Sequence, residues 1–268
     1  MKKVIAYVIL TFFLSSIGYY LILHSKAWGL NPFVIMFYLM WCPGLSAIIT
    51  SLVYDKSLAG LGFNPGRPKW LGLGYFLPIG YAALAYGIIW IAGFGRINPD
   101  YHFSAYQLIV LGTLMNVAFA AGEEIGWRGF MVPQLYKFKS FTATCWITGL
   151  IWSVWHFPLI ISGIYLAKMP VDFQLLLLVI TVTAMTFVIS WLRLKSGSVW
   201  PAILLHANHN LYIQRFFDPL TEETNALSKY MIGESGIVLA VVFIGLAILF
   251  WKLRNYLPNE KSSVKRNF

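Results

Sequence analysis

Charged residues are scarce in this chain, and their scarcity excludes an ordinary soluble domain. Of 268 residues, 11% are charged and 59% are hydrophobic, and the mean hydropathy is +0.69. A soluble domain typically carries about 25% charged residues. The composition is typical of a membrane protein, in which basic residues collect in cytoplasmic loops. The net charge of +10 therefore does not indicate a nucleic-acid partner.

Cysteine is also scarce. The two cysteines, Cys42 and Cys145, both lie in apolar runs. Two residues placed in this way form neither a disulfide framework nor a cysteine-based metal motif.

Long apolar runs are abundant. A membrane helix needs about 20 mostly apolar residues, and eight segments meet this requirement. They are residues 4–23, 33–54, 71–94, 105–131, 142–162, 173–192, 199–217 and 235–252. We predict an all-α, polytopic membrane helix bundle of about eight transmembrane helices, forming a single domain over residues 1–268. The first run is longer than the apolar core of a signal peptide, typically about 7–15 residues, so we expect an uncleaved span.

Lysine and arginine residues predict the orientation of this bundle. With a cytoplasmic N-terminus, 14 of the 20 basic residues fall in cytoplasmic segments, five fall in outside segments, and Arg128 lies in the membrane. An excess of this kind marks the cytoplasmic side. We therefore predict a multi-pass protein of the cell membrane, in contact with the lipid bilayer, with both termini in the cytoplasm.

Three charged residues interrupt the fourth apolar run. In GEEIGWRGF (122–130), Glu124 and Arg128 are four residues apart, so they share a helix face and are expected to pair. Glu123 is turned about 100° away and is left free. Ionisable residues inside membrane helices generally indicate function. We predict that Glu123 is a catalytic general base or acid and that the Glu124–Arg128 pair supports it structurally.

A second motif, IWSVWHFPLI, places His156 in the predicted fifth span. Trp152 lies one helical turn earlier and is expected to pack around the site. A histidine side chain can accept or share a proton near neutral pH, which suits general acid–base catalysis.

A third motif, PAILLHANHN, places His206 and Asn210 in the predicted seventh span. Their spacing of four residues puts both side chains on one helix face. His209 is adjacent, and we interpret it as a bystander or as a residue that supports the site without taking part in the chemistry. A rise of ~1.5 Å per residue places Glu123, His156 and Asn210 about 20 to 22 Å from the cytoplasmic ends of their helices. This common depth predicts that the three motifs form one site.

The three motifs together resemble the CPBP family of intramembrane proteases. This family includes the CAAX prenyl protease 2 type enzymes and the bacterial proteins called Abi or lysostaphin-resistance-A-like. The family pattern appears here as EEIGWR, WSVWH and HANHN, in the same order and spacing. The resemblance covers roughly residues 105–215, which would form the protease core. One departure is Trp152, where the family has phenylalanine.

The resemblance implies hydrolysis of a peptide bond in a membrane-associated protein or peptide. In our hypothesis Glu123, assisted by His156, activates a water molecule. His206 and Asn210 then donate hydrogen bonds to the developing oxyanion. Members of the family are commonly labelled metalloproteases. Glu123, His156 and His206 also suit a catalytic shell for a divalent metal such as zinc, so this alternative stays open.

Two other classes of intramembrane protease are excluded by missing motifs. The chain lacks the His-Glu-x-x-His of zinc enzymes and the Gly-x-Gly-Asp of aspartyl enzymes. The rival hypothesis is a non-catalytic scaffold, immunity factor or transporter on the same fold. The chain shows no inverted repeat of the kind found in transporters, and it keeps every motif position except the aromatic one.

Overall fold

The computed structural model describes residues 1–165 and 169–258. Four basic residues of the orientation argument lie outside these ranges: Lys168, Lys261, Lys265 and Arg266.

Helices form almost all of the described regular structure. They are α1 (Lys2–His24), α2 (Pro32–Tyr54), α3 (Pro68–Ile91), α4 (Thr113–Glu124), α5 (Val132–Tyr136), α6 (Phe141–Ile161), α7 (Val171–Ser196), α8 (Trp200–Tyr212), α9 (Ser228–Met231) and α10 (Ile237–Lys252). Short 3-10 turns cover Ala59–Leu61 and Leu253–Tyr256. Wider π-helical segments cover Gln107–Gly112, Ile125–Met131 and Ile213–Phe217. Two strands, β1 (Gly95–Ile97) and β2 (Thr221–Glu223), pair antiparallel.

Seven of the described helices are long and apolar enough to cross a membrane. They correspond to seven of the eight predicted spans, with α4, α5 and two π-helical segments forming one continuous helix, Gln107–Tyr136. The fold is therefore the predicted all-α polytopic membrane bundle.

The remaining predicted span, 199–217, corresponds to α8 and the π-helical segment that follows it. The α8 helix has only 13 residues, and nearly all of them are buried. It contacts α3, α4 and α7, so other helices rather than lipid surround it. Because α8 is enclosed by protein, it can carry the polar side chains of the third motif. It is accordingly less apolar than a helix that faces lipid.

The connections gather at two ends of the bundle, which we name the basic end and the strand end. The basic end holds residues 55–67, 137–140 and 197–199, and the strand end holds residues 25–31, 92–106, 162–165 and 218–236. At the basic end, Lys3 pairs with Asp55 at 2.8 Å. At the strand end, β1 pairs with β2, joining two connections far apart in sequence. The connections therefore alternate between the ends as the predicted order of spans requires.

Glycines of the first motif allow α2 to approach α4 closely. A Cβ atom on Gly122 would lie 2.5 Å from the carbonyl oxygen of Met40, and one on Gly126 would lie 2.5 Å from the Cβ of Pro43. Small residues four apart are typical of close contacts between membrane helices. This packing fixes how α4 is rotated about its own axis, and it thereby fixes the directions in which Glu123 and Glu124 point.

Candidate active site

Glu123 is buried beside the indole of Trp152. It lies in the last turn of α4, directly before the π-helical segment Ile125–Met131. The Trp152 Nε1–H donates a hydrogen bond of 2.7 Å to Glu123 Oε2. Within the described part of the chain, Glu123 forms no ion pair. It is thus a buried carboxylate with a neutral donor, as the prediction of a free glutamate requires. The sequence predicts only packing for Trp152, so this indole hydrogen bond is an additional contact that the structure reveals.

Glu124 and Arg128 form the expected pair, and both side chains are fully buried. Arg128 Nη1 donates to Glu124 Oε1 at 2.9 Å. Arg128 Nη2 donates to Thr186 Oγ1 on α7 at 3.1 Å, and the guanidinium lies 4.0 Å from the centre of the Trp152 ring. Glu124 Oε1 also contacts His206 Nδ1 at 2.8 Å. The carboxylate therefore links α4 to α8 and holds one of the candidate catalytic histidines.

The two candidate histidines are held through the same ring nitrogen. His156 Nδ1 lies 2.9 Å from the carbonyl oxygen of Trp152, and His206 Nδ1 lies 2.8 Å from the Glu124 carboxylate. Both partners can only accept, so each Nδ1 carries a proton. Nε2 is consequently the nitrogen of each ring that remains available for chemistry.

A single cavity of about 730 Å³ brings the predicted catalytic residues together. Its lining includes Glu123, Trp152, His156, His206 and Asn210. The Trp152 ring lies between the two histidines, with ring centres 5.8 Å from His156 and 5.4 Å from His206. The Asn210 amide makes no hydrogen bond to the described residues, so its N–H groups can serve a ligand in the cavity.

The side chains that the metal alternative requires are not grouped as a metal site in the described structure. Among residues 1–165 and 169–258, no three His, Cys, Asp or Glu side chains lie close enough to share a metal ion. Glu123, His156 and His206 line the same cavity without converging on one point. No step of the mechanism proposed below passes through a metal.

A second polar cluster lines the same cavity and was missed in the sequence. Glu234 Oε2 accepts hydrogen bonds from Gln214 Nε2, at 2.8 Å, and from the Tyr165 hydroxyl. His209 Nε2 lies 3.4 Å from Glu234 Oε1, and His209 Nδ1 lies 2.9 Å from the Tyr81 hydroxyl. His209 therefore connects α3 to this cluster, which agrees with the supporting role that was one of the two interpretations given above. Glu234 comes from a connection that lies outside the three motifs, so they gave no signal for it.

The charge state of Glu234 follows from these partners. Burial alone would raise its pKa. The hydrogen bond and charge of His209, with the hydrogen bonds from Tyr165 and Gln214, outweigh burial and lower the pKa of Glu234 to about 2. Glu234 is therefore ionised at neutral pH.

The fold and the site together define a class of protein. It is a multi-pass membrane helix bundle in which a carboxylate, two imidazoles and an amide line one cavity. Comparisons with known proteins specify it further. Residues 105–212 match the family of type II CAAX prenyl endopeptidases described as Rce1-like. This segment contains all three motifs, so the resemblance to CAAX-type proteases is confirmed where those motifs lie.

A protein of Methanococcus maripaludis named CAAX prenyl protease 2 is 30% identical to this chain over 121 residues. The aligned region covers 43% of this chain and 44% of that protein. The chain thus spans less than half the length of this relative.

Proposed function

We propose that this protein is an intramembrane endopeptidase that hydrolyses a peptide bond of a membrane-associated protein or peptide. The observation that carries the proposal is the position of Glu123. It is a buried carboxylate without an ion-pair partner among the described residues, and it lines a cavity shared with two histidines and an amide. The match to the CAAX endopeptidase family supports the same reaction class.

In the proposed mechanism, Glu123 takes a proton from a water molecule in the cavity. His156 assists through Nε2, because its Nδ1–H is engaged by the Trp152 carbonyl. The water oxygen forms a bond to the scissile carbonyl carbon, and the C=O π electrons move to the carbonyl oxygen. When this intermediate collapses, the C–N bond breaks and the proton passes to the leaving amine. General acid–base catalysis of this kind contributes roughly 10²–10⁴-fold to a rate.

His206 and Asn210 are the proposed donors to the oxyanion. Both residues belong to α8, one helical turn apart, and both line the cavity. His206 Nδ1–H is directed to Glu124, so a hydrogen bond to the oxyanion requires a second proton on Nε2. The neighbouring Glu124 carboxylate stabilises this imidazolium form electrostatically. A single oxyanion donor is typically worth about 2.7–4 kcal/mol of transition-state stabilisation.

The test compares wild type with Glu123→Gln at equal membrane abundance, by mass spectrometry of protein termini in the membrane and secreted fractions of the host. Glutamine keeps the shape of the side chain but removes the base. The matched control is Glu222→Gln, because Glu222 pairs with the exposed Arg96 at the strand end, outside the cavity lining. We expect specific new termini with wild type and Glu222→Gln only. If wild type and both variants give identical termini while a host phenotype still depends on the protein, the scaffold or transporter hypothesis would be favoured.

A further inference from the structure

The cavity is confined to one half of the bundle. Its lining comes from the first turns of α2, the helix between Gln107 and Glu123, the second half of α6, the first part of α7, and the part of α8 beyond His206. Every one of these segments lies between the level of Glu123 and the strand end. None of the described lining residues belongs to the connections of the basic end.

The strand end of the cavity is open. Its rim includes His102, Phe103 and Ser104, all exposed, and Phe103 is 51% exposed. The π-helical segment Gln107–Gly112 continues this wall and contains no buried residue. A molecule arriving at this end therefore meets exposed side chains that lead directly into the cavity.

The basic end is closed by packed protein. Between Glu123 and the basic end, the π-helical segment Ile125–Met131 contains Trp127, Phe130 and Met131, which are at most 1% exposed. The 3-10 turn Ala59–Leu61 covers this segment, and Leu61 is 1% exposed. Backbone contacts hold the turn in place, including the hydrogen bond of 2.9 Å from Val199 N–H to the Gly62 carbonyl.

Charge distinguishes the two ends. Among the described residues, the basic end and its flanking helix turns carry 11 lysines and arginines, whereas the strand end and its flanking helix turns carry four. The four are Lys26, Arg96, Arg215 and Lys229. An excess of basic residues marks the cytoplasmic side of a membrane protein. The closed end of the cavity is therefore the cytoplasmic end.

We propose that the cavity opens to the non-cytoplasmic side of the membrane. Its substrate is then an apolar peptide segment in or beyond the outer leaflet, such as an exported peptide or an outward-facing segment of a membrane protein. This inference rests on the proposed function, and it narrows the substrate class. Lipid-modified C-termini on the cytoplasmic surface would meet the closed end.

The walls of the cavity suit such a segment. Met36, Met40 and Met115 line it together with Leu108 and Leu111. Methionine is unbranched and adaptable, so these walls can accommodate varied apolar side chains. Polar lining groups, among them Gln107, Asn116 and Thr181, can hydrogen-bond the water that hydrolysis needs.

Cysteine labelling in intact cells tests the orientation. The native Cys42 and Cys145 are both at 0% exposure, so they give little background. Ser104→Cys reports on the open end, and Lys139→Cys on an exposed site at the basic end. We expect a membrane-impermeant maleimide to label Ser104→Cys in intact cells and Lys139→Cys only after permeabilisation. The reverse pattern would overturn the proposal.

A second pair of variants tests the opening itself. Thr181→Cys lines the cavity, whereas Thr148→Cys lies on α6, is also buried and is not part of the lining. We expect a small impermeant methanethiosulfonate reagent, added outside, to modify Thr181→Cys at least ten-fold faster than Thr148→Cys. Equal rates would show that the cavity is not reached from this end.

The labelling requires no catalysis, so it separates this inference from the proposed function. The new termini produced by wild type provide the second readout. Termini that fall on cytoplasmic segments would contradict the outward opening while the protease proposal stands. The absence of termini specific to wild type, with Ser104→Cys labelled from outside, would contradict the protease proposal and leave the orientation intact.

Discussion

Glu123 and Glu124 are adjacent, but we assign a catalytic role to Glu123 and a structural role to Glu124. Replacing Glu124 with glutamine removes the charge that Arg128 and His206 share at 2.9 and 2.8 Å. Arg128 would remain as a fully buried cation without its counter-ion. Breaking a buried ion pair in this way typically costs about 3–5 kcal/mol. Replacing Glu123 with glutamine removes a carboxylate that accepts one neutral hydrogen bond, so we expect its cost to stay below about 1.5 kcal/mol.

The assay is thermal unfolding in detergent, followed with a thiol-reactive dye. Cys42 and Cys145 are at 0% exposure, so dye labelling reports unfolding without added probes. At about 2–4 °C per kcal/mol, we expect Glu124→Gln to lower Tm by roughly 6–20 °C. Glu123→Gln should unfold within roughly 6 °C of wild type while losing activity. Equal Tm values for the two variants would refute the division of roles between the glutamates.

Three further predictions concern the site and its second polar cluster. Asn210→Ala should lower kcat by about 10²–10³-fold with little change in KM, because the Asn210 amide acts on the transition state. Steady-state kinetics on an identified substrate would measure both constants. A change in KM alone would show that Asn210 only binds substrate. The pKa of Glu234 is lowered from an ordinary 4.5 to about 2 in the folded protein. The ionised Glu234 cluster therefore stabilises the fold above about pH 4.5, and this contribution to stability is lost as the pH falls toward 2. The Tm difference between wild type and Glu234→Gln should therefore be largest near pH 7 and shrink between about pH 4.5 and 2; a difference independent of pH would contradict the assigned charge state. Activity should survive treatment with 1,10-phenanthroline, and a loss that added Zn²⁺ restores would show that Glu123, His156 and His206 hold a metal.

The sequence predicted the helices well because their signal is local. Twenty apolar residues in a row specify a membrane helix without knowledge of its neighbours. The Glu124–Arg128 pair was predictable for the same reason, since a spacing of four residues places both side chains on one face. The shorter α8 was predicted as a full span because hydropathy does not reveal that other helices surround it.

Contacts between helices could not be predicted from such local signals. Glu124 meets His206 only because α4 packs beside α8, and Trp152 reaches Glu123 only because α6 faces the same cavity. Glu234 belongs to a connection outside the three motifs, and its partners come from separate parts of the chain. The open end of the cavity likewise depends on how Ala59–Leu61 covers the opposite end, which no periodicity encodes.

The central claim is that Glu123 activates water for peptide hydrolysis, and one measurement tests it most directly. Purified wild type and Glu123→Gln would be reconstituted in liposomes with a peptide spanning an identified cleavage site, in water enriched in oxygen-18. We predict that wild type cleaves one bond, places a single oxygen-18 atom in the new carboxyl group, and does so at least about 10²-fold faster than Glu123→Gln. Cleavage by Glu123→Gln at the wild-type rate would contradict the account.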